Sequence, residues 1–215
     1  MAIITTTSAE TTAVDVPRIG ITTMIVPIRG TSPLLVHRFS EKAKRQMLDA
    51  QQGRKNKKET RDPEADYEAS FYRFDDPVTG EKGYGFPVIA FKAATISAAR
   101  LFDKSVTMVG LRQQLFFSGI IGDDGQQLAI IEGEPVMRED VVRVGMGGTD
   151  LRYRPMFAEW STRLEVKFVA SVISAGSVLS LIDAGGLTVG VGEWRPEKKG
   201  DFGQYEINGD VEVIA

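Results

Sequence analysis

Residues 185–206, GGLTVGVGEWRPEKKGDFGQYE, set glycines at 185, 186, 190, 192, 200 and 203 around Trp194, Arg195, Lys198 and Lys199. Glycines let a backbone approach a phosphate closely, while the cations and the indole between them supply charge and a stacking surface. No Gly-Lys-Ser/Thr follows and the next element reads as a strand, so this is not a nucleotide-binding P-loop. The chemistry it suits is contact with a nucleic-acid strand through Gly190, Gly192, Trp194, Arg195, Lys198 and Lys199. A glycine-rich hairpin with ordinary surface charge would have the same composition.

A second basic and aromatic cluster, Arg143, Arg152, Tyr153, Arg154, Phe157, Trp160 and Arg163, flanks the glycine-rich residues 145–148. Guanidinium groups fork onto phosphates and stack on bases, and an aromatic platform contributes roughly 1–3 kcal/mol per base. The alternative is that Phe157 and Trp160 are core and the arginines pair with Glu159 and Glu165.

A third concentration of charge lies between His37 and Arg61. Arg38, Lys42, Lys44, Arg45, Arg54, Lys55, Lys57, Lys58 and Arg61 stand there against Glu41, Asp49 and Glu59. That segment is +6, so the rest of the chain carries −9 of the net charge of −3. Such asymmetry fits a local electrostatic footprint on an otherwise acidic body, or a solvated lysine-rich loop. Asp75-Asp76 and Asp123-Asp124 read as turns, because adjacent carboxylates seldom converge on one ion. No metal and no cofactor is expected.

The elements that must position these groups can be read from periodicity. Residues 19–29 alternate as a strand, with Ile19, Ile21, Thr23 and Ile25 against Thr22, Met24 and Val26. Ser40 can cap a lightly packed helix to about Gln52, and residues 53–85 read as a charged, mobile excursion. A helix follows from Phe86 and Pro87, its apolar face given by Ile89, Ala93, Ile96, Leu101 and Phe102. Residues 111–121 and 127–132 form a hairpin across Gly122-Asp123-Asp124-Gly125, and 136–144 is a further strand. Residues 159–171 alternate as a strand. Ser174 caps a helix that Gly185-Gly186 terminate, and short strands at 202–207 and 211–214 end the sequence.

With the excursions removed, the order is strand, helix, strands, strand, helix, strand, the split βαβ arrangement of ferredoxin-like and RNA-recognition folds. Of the 215 residues, 42% are hydrophobic, enough for one core. There are no cysteines, which removes disulfides and thiolate chemistry and fits a reducing compartment. The first residues lack the basic and apolar regions of a signal peptide. Residues 168–182 are uncharged but too short to span a membrane, so a buried strand running into a helix is expected there.

The first strand, the helix FPVIAFKAATISAAR at residues 86–100 and the C-terminal helix with its glycine-rich loop resemble the RAMP superfamily, the repeat-associated RNA-binding proteins of CRISPR systems. The likeness is to their guide-binding backbone subunits. It places Lys92 and Arg100 where the family carries helix cations, and Gly190, Gly192, Gly200 and Gly203 where it carries its glycine loop. The second half of the chain is also similar to bacteriophage proteins. The resemblance implies an RNA-recognition-like core, a protruding thumb and single-strand binding by repeated subunits.

The expectation is therefore an α+β, ferredoxin-like protein with a flexible arm at 1–17 and a single RAMP-like domain at 18–215. A basic insertion at about 30–85 would form the thumb. It would bind single-stranded RNA or DNA through the backbone, multimerise as a homo-oligomer or filament, and act in the cytoplasm rather than at a membrane. Two alternatives differ in class. One is a metal-independent RNA-processing endonuclease using His37, which sits just after the first strand, the resemblance being to RAMP nucleases with a histidine near their first helix. The other is a phage protein that mimics or joins a CRISPR backbone complex.

Overall fold

Alternation over 19–29 becomes the first strand, and its even-numbered residues are the centre of the protein. The computed structural model describes residues 16–39, 41–54, 61–103, 106–144 and 148–214. Most of the expected arm (1–15) lies outside the described residues, as do Ser40, Lys55, Lys57, Lys58, the loop 145–147 and the side chain of Lys42.

In chain order the elements are β1 (Ile21–Gly30), β2 (Leu34–Leu35), α1 (Glu41–Gln51), α2 (Pro63–Ala69), β3 (Tyr72–Asp75), β4 (Lys82–Pro87) and α3 (Val88–Ser97). After a 3-10 turn at Ala98–Leu101 come α4 (Met108–Gln114), β5 (Leu115–Ser118), β6 (Ile120–Ile121) and β7 (Gln127–Ile130). Then follow β8 (Pro135–Val144), β9 (Gly148–Phe157), β10 (Ser161–Val169), α5 (Ala175–Thr188), β11 (Tyr205–Ile207) and β12 (Glu212–Ile214).

The main sheet runs β11-β1-β10-β5, with every neighbour antiparallel and β12 also paired to β1. Two units, β1-α3-β5 and β10-α5-β11, interleave so that the first and third of their strands are central. This mixed α+β order is compatible with a ferredoxin-like core. The β1–β10 register sets Met24 opposite Val166 and Val26 opposite Leu164. These residues, with Ile28 and Phe168, are buried beside Phe91 of α3 and Val178, Leu181 and Ile182 of α5. Burying each such side chain contributes roughly 1.5–3 kcal/mol. No helix among the described residues is long and apolar enough to cross a membrane.

Several expectations are corrected. The buried face of α3 is Val88, Phe91, Ala94, Thr95 and Ile96, whereas Ile89, Leu101 and Phe102 are exposed. The helix is apolar nearly all round, so periodicity could not choose its inward side. Its phase is set by β4, whose last residue, Pro87, pairs with Leu128 of β7. Residues 111–121 are not one strand: the Thr107 hydroxyl accepts from Gly110 N at 3.1 Å and caps α4 ahead of β5. Gly185 and Gly186 do not end α5, which continues to Thr188. A Cβ on Gly185 would stand 2.9 Å from the Ala94 carbonyl, so these glycines bring α5 against α3 and β11. The helix ends at Gly190, whose φ of +67° suits glycine and whose N–H donates to Gly185 O at 2.9 Å.

The described part of residues 53–85 is no excursion from residue 61 onward. Asp62 caps α2, and β3 and β4 form a hairpin that buries Phe71, Phe74 and Phe86. β3, β4, β7 and β6 make a second sheet, and β2, β9 and β8 a third. The turn reading of the aspartates holds: Asp76 accepts from Val78 N at 2.7 Å, and Asp124 from Gln126 N at 3.1 Å.

Candidate nucleic-acid interface

The long hairpin β8–β9 positions the first part of the site. Its register sets Arg138 opposite Arg154 and Asp140 opposite Arg152, and strand alternation places all four on one face. Asp140 is the hub. Its Oδ1 accepts from Arg138 Nε at 2.8 Å and its Oδ2 from Arg154 Nη2 at 2.6 Å.

Residues 190–203 fold back over this face. The Arg154 guanidinium lies 5.1 Å from the centre of the Trp194 ring, and that of Arg138 lies 5.4 Å from it. Phe202 meets Trp194 edge-on at 5.8 Å and also receives Arg138, at 5.2 Å. Glu193 approaches Arg154 Nη1 at 3.6 Å. Two segments forty residues apart in sequence thus build one arginine–aromatic cluster.

His37, just past β2, joins it from a third direction. Arg152 Nη1 lies 3.5 Å from His37 Nδ1, and because a guanidinium can only donate, Nδ1 accepts and Nε2 carries the proton. Burial, then the Arg152 charge, hold the imidazole below its ordinary value of 6.5 against the opposing pull of Glu193 and Asp150, with Arg154 also lowering it. A group kept neutral in the fold takes its proton more readily when unfolded. Its contribution to stability is therefore present above about pH 6.5 and lost as pH falls through the folded value. The melting temperature should fall more steeply between pH 7.5 and 5 in the wild type than in His37→Gln. Superimposable profiles would refute this.

His37 also lines a cavity of about 250 Å³ with Tyr72, Phe86, Ala90, Ala93, Ala94 and Ser97 on one side and residues 189–193, Arg195 and Glu197 on the other.

The residues singled out from sequence divide clearly. Arg152, Arg154, Trp194, Arg195, Gly190 and Gly192 are brought together at this cluster and cavity. Arg154, expected as a phosphate contact, is fully buried and so cannot meet a ligand directly. Arg195 is occupied within its own loop, donating to Gly192 O at 3.1 Å and to Glu197 at 2.9 Å. A Cβ on Gly192 would stand 2.6 Å from Leu35 O, so this glycine serves packing against β2. Lys198 and Lys199 are exposed beside the loop, and Arg143 is exposed opposite Thr149 toward the far end of the hairpin.

The others lie elsewhere. Arg38 pairs with Asp124 at 3.2 Å. Lys44 and Arg45 are exposed on α1, and Arg54 follows it beside Asp49. Lys92 rests 5.2 Å from the Phe116 ring centre, and Arg100 is exposed in the 3-10 turn. On the open face of the main sheet Arg29, Arg163 and Lys167 pair with Glu206, Glu212 and Glu165. Among the described residues no group of three acidic or imidazole side chains could hold a metal.

Arg138, Asp140, Glu193 and Phe202 were missed from sequence. The signal was present: 135–144 and 148–157 are equal runs about a glycine-rich centre, and pairing them as a hairpin sets Arg138 opposite Arg154.

With known proteins the chain shares little sequence. No protein family matches it, and no curated protein does. Among solved structures it is similar to the crystal structure of Cmr6 from Pyrococcus furiosus, at 9% identity and a TM-score of 0.41, over 89% of this chain and 100% of that one.

Proposed function

We propose that this chain is a RAMP-like protein that binds single-stranded RNA or DNA, chiefly through the phosphate backbone, with no catalytic step. The observation that carries the reading is the convergence of Arg138, Arg152, Trp194 and Phe202 from two separate segments over the buried Arg154, flanked by the exposed Lys198 and Lys199. Electrostatic grooves with interleaved aromatic rings suit single strands, because every base has a stacking face and every nucleotide a charge.

The arginines here already adjoin carboxylates, Arg138 on Asp140, Arg152 near Asp150 and Arg195 on Glu197, so a strand must exchange its phosphates for these, while the lysines can engage directly. Affinity for a single-stranded 30-mer, followed by fluorescence anisotropy, should therefore fall steeply with salt. At a slope of about −0.7 per neutralised phosphate, several contacts give a log–log slope steeper than about −2, near a 16-fold loss from 50 to 200 mM salt. A flat response would sink the reading. Subunits would multimerise along a long strand in the host cytoplasm, in a phage or CRISPR-related setting, and light scattering on long strands tests the multimer.

One observation favours a second reading. His37 lines the cavity in neutral form near Glu193, as a general base for metal-independent RNA cleavage would. Cleavage that survives EDTA and disappears in His37→Ala would establish it.

A further inference from the structure

We propose that the cavity between α3 and the glycine loop receives one unstacked nucleobase, and that its polar groups select guanine. The proposal rests on the strand-binding reading and adds a base-reading pocket to it. At about 250 Å³ the cavity is smaller than the roughly 300–1,000 Å³ of pockets that take drug-sized ligands, which suits a single ring system.

Its walls have the matching chemistry. Ala90, Ala93, Ala94 and Ser97 recur at helical spacing on α3, so one wall is flat and nearly featureless. Tyr72 and Phe86 supply aromatic surface, their rings edge-on at 5.9 Å. Of the charged and imidazole groups in the lining, Arg195 and Glu197 are paired with each other at 2.9 Å, which leaves Glu193 and His37, of opposite kind, to face a base. Glu193 offers carboxylate oxygens, one of them 3.6 Å from Arg154 Nη1. His37, its Nδ1 engaged by Arg152, is left with an Nε2–H to donate.

Unstacked bases are read by stacking and by hydrogen bonds along their Watson–Crick edges. Guanine alone sets two adjacent donors, N1–H and N2–H, where one carboxylate can accept both, with O6 beside them to accept from an imidazole N–H. Adenine and cytosine offer one exocyclic amine next to a ring-nitrogen acceptor. Uracil and thymine flank their single N–H with carbonyls that face the carboxylate unfavourably. Glu193 is thus a specificity-determining residue.

The test compares a twelve-residue homothymidine strand, the same strand with one central guanine, and guanosine 5′-monophosphate. Each is titrated against the wild type, Ala93→Phe and Glu193→Gln. Ala93 is exposed on α3 and lines the cavity, so phenylalanine there fills it without entering the core. Glu193→Gln keeps the shape and changes the acceptor. Thermal melts of both variants confirm folding.

The guanine-containing strand should bind the wild type about tenfold more tightly than homothymidine, the range of one good bidentate pair. That preference should vanish in both variants, with homothymidine affinity unchanged in Ala93→Phe. Equal binding of the two strands by the wild type overturns the pocket and leaves the strand-binding reading standing. If guanosine monophosphate binds, is lost in Ala93→Phe, and no strand binds, the pocket survives and the strand reading falls. If none of the three ligands binds, both fall.

Discussion

Replacing Arg154 with alanine should lower folding stability by about 3–5 kcal/mol, the cost of breaking a buried ion pair from one side. The pair is well removed from water: the side chains of Arg154 and Asp140 are 1% and 5% exposed, and Nη2 meets Oδ2 at 2.6 Å. Without Arg154, Asp140 keeps only Arg138, and Trp194 loses the guanidinium at 5.1 Å from its ring. Asp140 is not wholly abandoned, so the lower end of the range is expected. Against a typical total of about 5–15 kcal/mol the loss is large.

Urea denaturation of Arg154→Ala, Asp140→Leu and an Arg154→Met/Asp140→Leu pair separates the contributions. The double variant buries neither charge of the pair and should recover much of the loss, a coupling visible in the mutant cycle. An Arg154→Ala protein within about 0.5 kcal/mol of wild type, the range of an ordinary surface change, would mean that this guanidinium is not buried.

Where the sequence predicted structure well, one physical signal acted alone. In β1 and β10, Met24, Val26, Leu164, Val166 and Phe168 alternate with less buried neighbours, and each of the five is buried. Ser174 caps α5 as its type suggests, accepting from Ser177 N at 3.2 Å. Gly125, at φ +79°, closes the β6–β7 hairpin. The failures came where a local signal competed with a tertiary one. Gly185-Gly186 read as a helix stop because glycine usually ends helices, but here close contact with Ala94 and Tyr205 outweighs propensity. The charged run after residue 60 read as mobile, yet Phe71 joins the main core and Tyr67, Tyr72 and Tyr84 pack against it. Charge counting found Arg152, Arg154 and Arg195 but not Arg138 or the carboxylate between them: Asp140 reaches Arg154 only once β8 and β9 pair.

The glycine loop should separate into residues that fold it and residues that meet the ligand. Gly203 belongs to the first group. Its φ is +67°, its N–H donates to Pro33 O at 2.8 Å, and its carbonyl accepts from Val191 N at 2.9 Å. A Cβ there would collide with the Val191 carbonyl. Gly203→Ala therefore combines a left-handed backbone penalty of about 1–2 kcal/mol with an overpacking cost of about 1–3 kcal/mol. A loss of roughly 2–5 kcal/mol is expected in urea denaturation. Arg195→Ala should act in the same direction and more weakly, since it removes the strap to Gly192 O and Glu197.

On the strand-binding proposal, Lys198 and Lys199 belong to the second group. Both are exposed, so Lys198→Ala/Lys199→Ala should stay within about 0.5 kcal/mol of wild type in stability. If each lysine neutralises one phosphate, the double variant flattens the salt dependence of strand binding by about 1.4 units, twice the single-strand increment of roughly 0.7. The two measurements exchange places under the opposite account. Were the glycines to face the strand, Gly203→Ala would melt like the wild type and lose affinity. Were the loop remote from the strand, the lysine variant would keep its salt slope. Stability lost with Gly203 and salt slope lost with the lysines is the combination that the strand-binding proposal requires.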